Sequence, residues 1–141
     1  MRALVLLAVT GLGSSLAMPS LARADAALYI LMRDGHLARV QGERTEPVHV
    51  PGTVRAFAVD GAKLYAATRE GPLWELDLVT KKTRDLGLGG WWSTLALAAA
   101  GGKLYAATQA GKLWEIDPAA GTKKIVQMSG WEGALSLAIA R

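Results

Sequence analysis

The chain has 141 residues, a formal net charge of +4 and no cysteine, and 51% of its residues are hydrophobic. The lack of cysteine excludes disulfide staples, cysteine-ligated zinc and a thiol nucleophile. The basic residues are scattered or form Lys-Lys pairs flanked by polar positions, whereas binding of nucleic acid needs a concentrated basic patch. We therefore expect no nucleic-acid partner.

Residues 1–24 have the pattern of a secretory signal peptide, with a basic Arg2, an apolar run and a small-residue end at Ala22-Arg23-Ala24. An anchoring helix is the alternative. Glycines and serines between positions 11 and 15 interrupt the apolar run well short of the ~20 residues that a membrane span needs. We predict an exported protein, secreted or periplasmic, with no stable membrane span after cleavage and one domain over residues 25–141.

The rest of the chain repeats itself with a period of 40 residues. The segment KLYAATREGPLWELD, which starts at Lys63, returns as KLYAATQAGKLWEID from Lys103, with 11 of 15 positions identical. The match continues from Gly90-Trp91 to Gly130-Trp131, and a weaker copy starts at Ala27 with an offset of 36. Periods of about 40–45 residues are typical of helical pairs or of four-stranded propeller blades.

The order of strands within one unit favours blades. Glycine and aspartate turns divide each unit into runs of about 5–7 residues, too short for ordinary helices. In chain order these are an apolar strand (TLALAAA from Thr94), a second strand (KLYAAT), a third (PLWELD from Pro72) and a polar fourth (KKTRDL from Lys81). Because strands that are apolar on both faces are buried and polar strands lie near solvent, burial falls from the first to the fourth. This gradient predicts an all-β fold of propeller-type, four-stranded antiparallel blades.

The strand count predicts three blades with an offset of one strand. The sequence after the leader starts at Ala27 with a second-type strand and ends in ALSLAIAR from Ala134, a first-type strand. Because rings need roughly four to eight blades, we expect a head-to-tail homo-oligomer, most simply a dimer, to complete the ring. In that arrangement ALSLAIAR of one chain lies beside ALYILM of the next. The alternative is that the chain is a truncated fragment of a larger propeller.

Candidate catalytic and metal-binding residues are few. His36 and His49 are the only histidines, and neither has a second histidine or a cysteine at ligand spacing, so we predict no metal site. Glu75 and Asp77 share a strand face at period 2 and could act as an acid and a base, as could their counterparts 40 residues later. The favoured interpretation is that Asp77 caps the next turn while Glu75 is solvated. We expect no cofactor and no enzymatic activity.

The tryptophans on the turns that enter a blade are the candidate binding residues. Trp74 and Trp114 lie inside strands and are predicted to pack. On a turn, an indole can stack on a sugar ring while its N–H donates a hydrogen bond. An alternative for Trp91 and Trp131 is that they are wedges between blades, whereas Trp92 stands outside the repeat consensus. The candidate ligand-binding residues are Gly90, Trp91, Trp92, Gly130 and Trp131.

Two resemblances agree with this interpretation. GLGGWWSTLALAAAGGKLYAAT and SGWEGALSLAIA resemble the repeat of tachylectin-type propeller lectins, in which a Gly-Gly-Trp turn precedes a strand, a glycine turn and a Leu-Tyr-Ala strand. GKLWEIDPAAGTKK is similar to the quinoprotein-type propeller repeat. Both imply a propeller, and the first implies carbohydrate binding at turns between blades. The first copy of the repeat departs from the lectin pattern, with Pro51-Gly52-Thr53 in place of the tryptophan.

The resulting prediction is an exported, non-catalytic, lectin-like protein that binds carbohydrate. The main alternative is a propeller scaffold that binds protein, for example in an envelope assembly. A redox cofactor of the quinoprotein kind would need a ligand set that the sequence does not offer.

Overall fold

The computed structural model describes the backbone of Leu7–Thr10 and all of residues 27–140. Within these residues the chain forms twelve strands and one short 3₁₀ helix, and it divides into two compact units, Met1–His49 and Val50–Arg141. The predicted signal peptide lies outside the described residues except for Leu7–Thr10. In the described part of the chain, no helix is long and apolar enough to cross a membrane.

The first unit contains one antiparallel four-stranded sheet, which we call blade 1. Its strands follow one another in space as they do in sequence. In β2 the side chains of Ala27, Tyr29 and Leu31 are buried, whereas those of Leu28 and Ile30 are half-buried, as expected for a pleated strand with two faces. The fourth strand is exposed over most of its length. The strands are β1 (Leu7–Thr10), β2 (Ala27–Leu31), β3 (Leu37–Gln41) and β4 (Arg44–Val48).

The second unit contains two further antiparallel four-stranded sheets, blades 2 and 3, again in sequence order. Most residues of each first strand are buried, and every residue of each fourth strand is exposed, so the predicted burial gradient is confirmed. The predicted propeller-type blades, three per chain, are likewise confirmed. Blade 2 consists of β5 (Val54–Asp60), β6 (Lys63–Thr68), β7 (Leu73–Asp77) and β8 (Thr83–Asp85); blade 3 consists of β9 (Thr94–Ala100), β10 (Lys103–Thr108), β11 (Leu113–Asp117) and β12 (Thr122–Gln127).

Blades 2 and 3 share one hydrophobic core. Small side chains such as Ala56 and Ala106 have no exposed surface, which lets the inner strands approach closely, and larger side chains fill the wider space outside them. Each fully buried leucine or isoleucine contributes roughly 1.5–3 kcal/mol through removal of its apolar surface from water. The larger members of this core are Tyr65, Leu73, Leu86, Trp91, Leu97, Leu104 and Ile116.

In the single chain the twelfth strand is β1 and not the segment 134–140, whose pairing with β2 of another copy stays a prediction. Residues 134–140 are not a strand in the structure, and the position at the inner edge of blade 1 is taken by β1, which pairs antiparallel with β2 from Leu7↔Ile30 to Thr10↔Ala27. The predicted twelve strands were those of residues 25–141, because the leader is expected to be cleaved. With the leader attached, its apolar residues offer the edge of β2 a local partner.

The shared core gives a stability prediction. Replacing the fully buried Leu104 by alanine should lower the free energy of unfolding by about 2–5 kcal/mol, because the substitution removes apolar contacts and leaves a cavity. Val79 is 77% exposed in a turn, so Val79→Ala should stay within about 0.5 kcal/mol of the parent chain. Urea unfolding followed by tryptophan fluorescence measures both. Equal effects of the two substitutions would contradict the assignment of Leu104 to the core.

Candidate functional site

The turn that enters blade 3 is set by two successive glycines. Gly89 and Gly90 have φ angles of 55° and 79°, a left-handed conformation that side chains other than those of glycine and asparagine rarely tolerate. The chain then forms the 3₁₀ helix Trp91–Ser93. The backbone N–H of Trp91 donates to the carbonyl of Gly71, at 3.0 Å, which ties this turn to the hairpin between β6 and β7 of blade 2.

Trp91 occupies the core between blades 2 and 3. Only 2% of its surface is exposed, and its ring meets that of Trp114 edge to face, with centroids 5.8 Å apart and planes at 80°. Its indole N–H is buried and has no hydrogen-bond partner among the described residues. This placement agrees with the wedge interpretation, because a ring that is 98% covered cannot stack on a sugar.

The other candidate residues lie in different surroundings. Trp92 is 58% exposed, although it is the immediate neighbour of Trp91. Trp131 is 36% exposed, and its indole N–H donates to Oε1 of Gln127 at 2.8 Å. Gly130 is exposed, and its N–H donates to Oε2 of Glu132. The structure thus divides the five residues between the turn before blade 3 and the segment after it, with one buried and two accessible indoles.

The paired carboxylates have structural roles. Oδ1 of Asp77 accepts hydrogen bonds from the N–H groups of Val79 and Thr80, at 2.9 and 3.1 Å, so the predicted turn cap is confirmed. These two bonds, that from Thr80 first, lower the pKa of Asp77. Glu75 is not simply solvated, because it forms ion pairs with Lys63 and Arg84 at 3.3 and 2.9 Å. These ion pairs link Glu75 of β7 to the neighbouring strands β6 and β8, so the carboxylate has a structural role.

The two histidines are both exposed. Nδ1 of His36 lies 3.0 Å from Oδ1 of Asp34, and the backbone N–H of His36, which donates to the same carboxylate, lowers the pKa of Asp34. His49 follows β4 in the chain. Among the described residues, no group of three or more histidine, aspartate or glutamate side chains could hold a metal ion.

Two lysines that were not among the predicted site residues line a cavity beside the Gly-Trp turn. It is a partly open cavity of about 150 Å³ between the turn and blade 3, and Lys112 and Lys123 are among its lining residues. Nζ of Lys123 lies 5.3 Å from the ring centroids of both Trp91 and Trp114 and donates to the carbonyl of Leu88 at 2.9 Å. The signal available in the sequence was the departure from the repeat: 40 residues earlier these lysines are Pro72 and Thr83.

The outward face of blade 3 carries apolar side chains whose counterparts in blade 2 are buried. Leu73 has no exposed surface, whereas Leu113, 40 residues later, is half-buried. Leu86 is 8% exposed and Val126 is 47% exposed. Trp131 is likewise more exposed than Trp91, and Tyr105 is more exposed than Tyr65. We call Tyr105, Leu113, Val126 and Trp131 the terminal face.

Tyr65 and Tyr105 occupy equivalent positions of the repeat, and they differ in burial because blade 3 packs on blade 2. Burial raises the pKa of Tyr65 to about 12, because the phenolate would lose its hydration. The pKa of Tyr105 is raised chiefly by a different cause, the hydrogen bond that its O–H donates to Oε2 of Glu115 at 3.2 Å. The same residue at the same position of the repeat is therefore enclosed in blade 2 and reachable by solvent in blade 3.

Comparison with known proteins supports the fold. No protein-family model matches the chain, and no curated protein matches it. Among solved structures, it is similar to Saccharomyces cerevisiae Sqt1, with a TM-score of 0.63 and 14% identity over 96% of this chain and 37% of Sqt1. It is also similar to the WD40 repeats of RRP9, with a TM-score of 0.52 and 16% identity over 75% of this chain and 36% of the other. The computationally designed Ika4 protein gives a TM-score of 0.63 and 12% identity over 82% of this chain and 74% of Ika4.

These likenesses have low sequence identity and show the fold alone: a partial β-propeller with WD40-like neighbours. The chain spans little more than a third of the length of Sqt1 and of RRP9. The finer resemblance to tachylectin-type or quinoprotein-type propellers stays a prediction.

The enclosure of Tyr65 gives a pH prediction. The fold favours the neutral phenol, so the stability that its burial provides is complete below its ordinary pKa of 10.0 and is lost as the pH rises from there through about 12. Absorbance titration at the phenolate band should contain a component that ionises near pH 12, and Tyr65→Phe should remove that component. Loss of the component in Tyr105→Phe instead would contradict the assignment.

Proposed function

We propose that this protein is a non-catalytic, protein-binding propeller scaffold whose terminal face is covered by a further blade, most simply from a second copy of the chain. The observation that carries the proposal is the exposure of the terminal face at positions that are buried one repeat earlier. Apolar side chains that are more exposed than their counterparts one repeat earlier indicate an interaction site. The WD40-like neighbours support a protein partner, although their activities are not carried over to this chain.

Blade 1 of a second copy has side chains suited to this face. In blade 3, Leu104, Ala106 and Ile116 cover blade 2 and have no exposed surface. The repeat offsets of 40 and 36 place Leu28, Ile30 and Val40 at the equivalent positions of blade 1. The strand register is also the same, because Leu28 pairs with Val40 as Leu104 pairs with Ile116. All three side chains of blade 1 are half-buried. A head-to-tail contact therefore brings two accessible apolar faces together in the geometry that the repeat already uses.

The edge of blade 1 adds a second element to this contact. If residues 1–24 are removed on export, as the sequence predicts, β1 is lost and the inner edge of β2 has unpaired N–H and C=O groups. Residues 134–140 lie 40 residues after β9 and share its apolar pattern, and Leu135 among them is 81% exposed. We propose that this segment of a second copy replaces β1 beside β2. Two chains of three blades then close as a six-bladed ring, within the usual range of about four to eight.

This proposal predicts the mass of the exported form. Residues 25–141 should have the mass of two chains in light scattering, and Leu113→Asp should give one chain, because a charge would be buried in the contact. Val79→Asp introduces the same charge at an exposed turn outside the terminal face and should leave the mass of two chains. A folded monomer of residues 25–141, or a dimer that Leu113→Asp leaves intact, would contradict the proposal.

Carbohydrate binding is a second candidate, favoured by the exposure of Trp92. The ring is 58% exposed on the turn between blades 2 and 3, where its face can stack on a sugar while its N–H donates a hydrogen bond. Trp131 offers a second accessible indole, whereas the burial of Trp91 removes it as a stacking surface.

The test of this candidate is retention on a panel of immobilised glycans. Trp92→Ala should abolish retention without changing the unfolding midpoint, since the side chain is largely outside the core. Val79→Ala, which also removes an exposed apolar side chain, serves as the control. Retention unchanged by Trp92→Ala, or no retention of the parent chain, would end the lectin hypothesis.

A further inference from the structure

We infer that the cavity lined by Lys112 and Lys123 binds a carboxylate, and that the carboxylate is an aspartate or glutamate side chain of a partner polypeptide. We call this cavity the lysine pocket. The inference deepens the proposed scaffold function, on which the choice of a polypeptide ligand rests. It names the chemistry that a partner must present beside the Gly-Trp turn.

Charge is the first argument for an anionic ligand. Lys112 and Lys123 both line the lysine pocket, and the described residues that line it include no aspartate or glutamate. Within residues 27–140, neither lysine forms an ion pair. The contrast with other lysines of the same two blades is direct, because Lys63 pairs with Glu75 and Asp77, and Lys103 pairs with Asp117 at 2.7 Å. Two ammonium groups beside one cavity repel each other, and an anion between them would remove that repulsion.

The departure from the repeat is the second argument. Residues that build the blades recur every 40 positions: Trp114 repeats Trp74, and Trp91 recurs as Trp131. The two lysines do not recur, since Pro72 and Thr83 stand at the earlier positions. Blade 2 forms without either lysine, so the packing of a blade does not require them. Two lysines that line one cavity and are both absent from the earlier repeat indicate a role of that cavity and not of the blade fold.

Hydrogen-bond donors complete the pocket. Ser93, whose side chain carries a hydroxyl, lines the pocket, and the indole of Trp91, another lining residue, has a buried N–H with no hydrogen-bond partner among the described residues. A buried donor without a partner costs roughly 1–3 kcal/mol, which an acceptor on a ligand would recover. A carboxylate accepts several hydrogen bonds at once and fits easily in about 150 Å³.

The position of Lys123 explains why the pocket is preorganised. Its ammonium group lies over both indole rings and donates to the carbonyl of Leu88, so the side chain is held at the cavity before a ligand arrives. Lys112, in contrast, is half-buried and has a charge without a described partner. We therefore assign Lys123 the role of a fixed cation beside the two indole rings and Lys112 that of the cation that pairs directly with the ligand.

The experiment is a titration of ¹⁵N-labelled chain with the peptide acetyl-Gly-Glu-Gly-amide, followed by the indole N–H resonance of Trp91. The neutral peptide acetyl-Gly-Gln-Gly-amide has the same shape and is the matched ligand control. We expect a saturable shift with the glutamate peptide only. Lys112→Met should weaken binding at least tenfold, whereas Lys82→Met, at an exposed lysine of the blade 2 turn, should leave it unchanged. Lys123→Arg keeps the charge and should retain binding if the fold is intact.

Several outcomes would overturn the inference. Equal shifts with the glutamine peptide would show that charge is not recognised, and binding unaffected by Lys112→Met would place the ligand elsewhere. Glucuronic acid that binds where the peptide does not would assign the pocket to an acidic glycan. If no probe shifts the indole resonance, the lysine pocket binds no carboxylate, and the two lysines serve only the packing of the fold. If the chain has the mass of two copies and shows no shift, only the lysine pocket inference is refuted. If the chain is a monomer and binds the peptide, ring completion is refuted and the lysine pocket inference is supported.

Discussion

Packing of one blade against the next is the interaction on which the second unit depends. A four-stranded sheet with apolar side chains on both faces cannot bury them by itself, and blade 2 reaches a dry interior only because blade 3 lies on it. Leu73 and Tyr65 owe their enclosure to that neighbour, and Leu104 and Ile116 supply the covering surface. The 40-residue repeat follows from this requirement. Each blade needs one face that packs on the preceding blade and a second face on which the next blade packs.

The same requirement makes the terminal face informative. Leu113 and Val126 belong to the same class of position as Leu73 and Leu86, yet they remain accessible. A repeat that is buried in one copy and exposed in the next indicates an interaction surface more clearly than an isolated exposed leucine does, because the earlier copy shows what the position is suited to contact. Lys112 and Lys123 of the lysine pocket are informative for a different reason. Neither lysine is present at the equivalent position of the preceding repeat.

Much of the fold could be predicted from sequence because periodicity and turn residues determine it locally. The strands around KLYAAT and LWE, their order and the gradient of burial all followed from the pattern, as did the cap by Asp77. The strand that pairs with the edge of β2 did not follow from the pattern. Several apolar segments can pair with one strand edge, and the prediction did not include the leader among them. The exposure of Trp91 could not be predicted either, since it depends on how closely Trp114 and blade 2 approach the turn. The lysine pocket was missed because its residues are distant in sequence and meet only in the folded chain.

A mixing experiment tests the central claim, that the terminal face is covered head to tail by blade 1 of another copy. Two forms of residues 25–141 are prepared separately, one with Leu113→Asp in the terminal face and one with Ile30→Asp in blade 1, and light scattering measures each alone and then both together. In a head-to-tail contact each substitution disables every pair of like chains, while an unlike pair keeps one intact contact between an unchanged terminal face and an unchanged blade 1. The account predicts one-chain masses for the separate forms and a two-chain mass for the mixture. A mixture that remains monomeric, or an Ile30→Asp chain that dimerises alone, would contradict it.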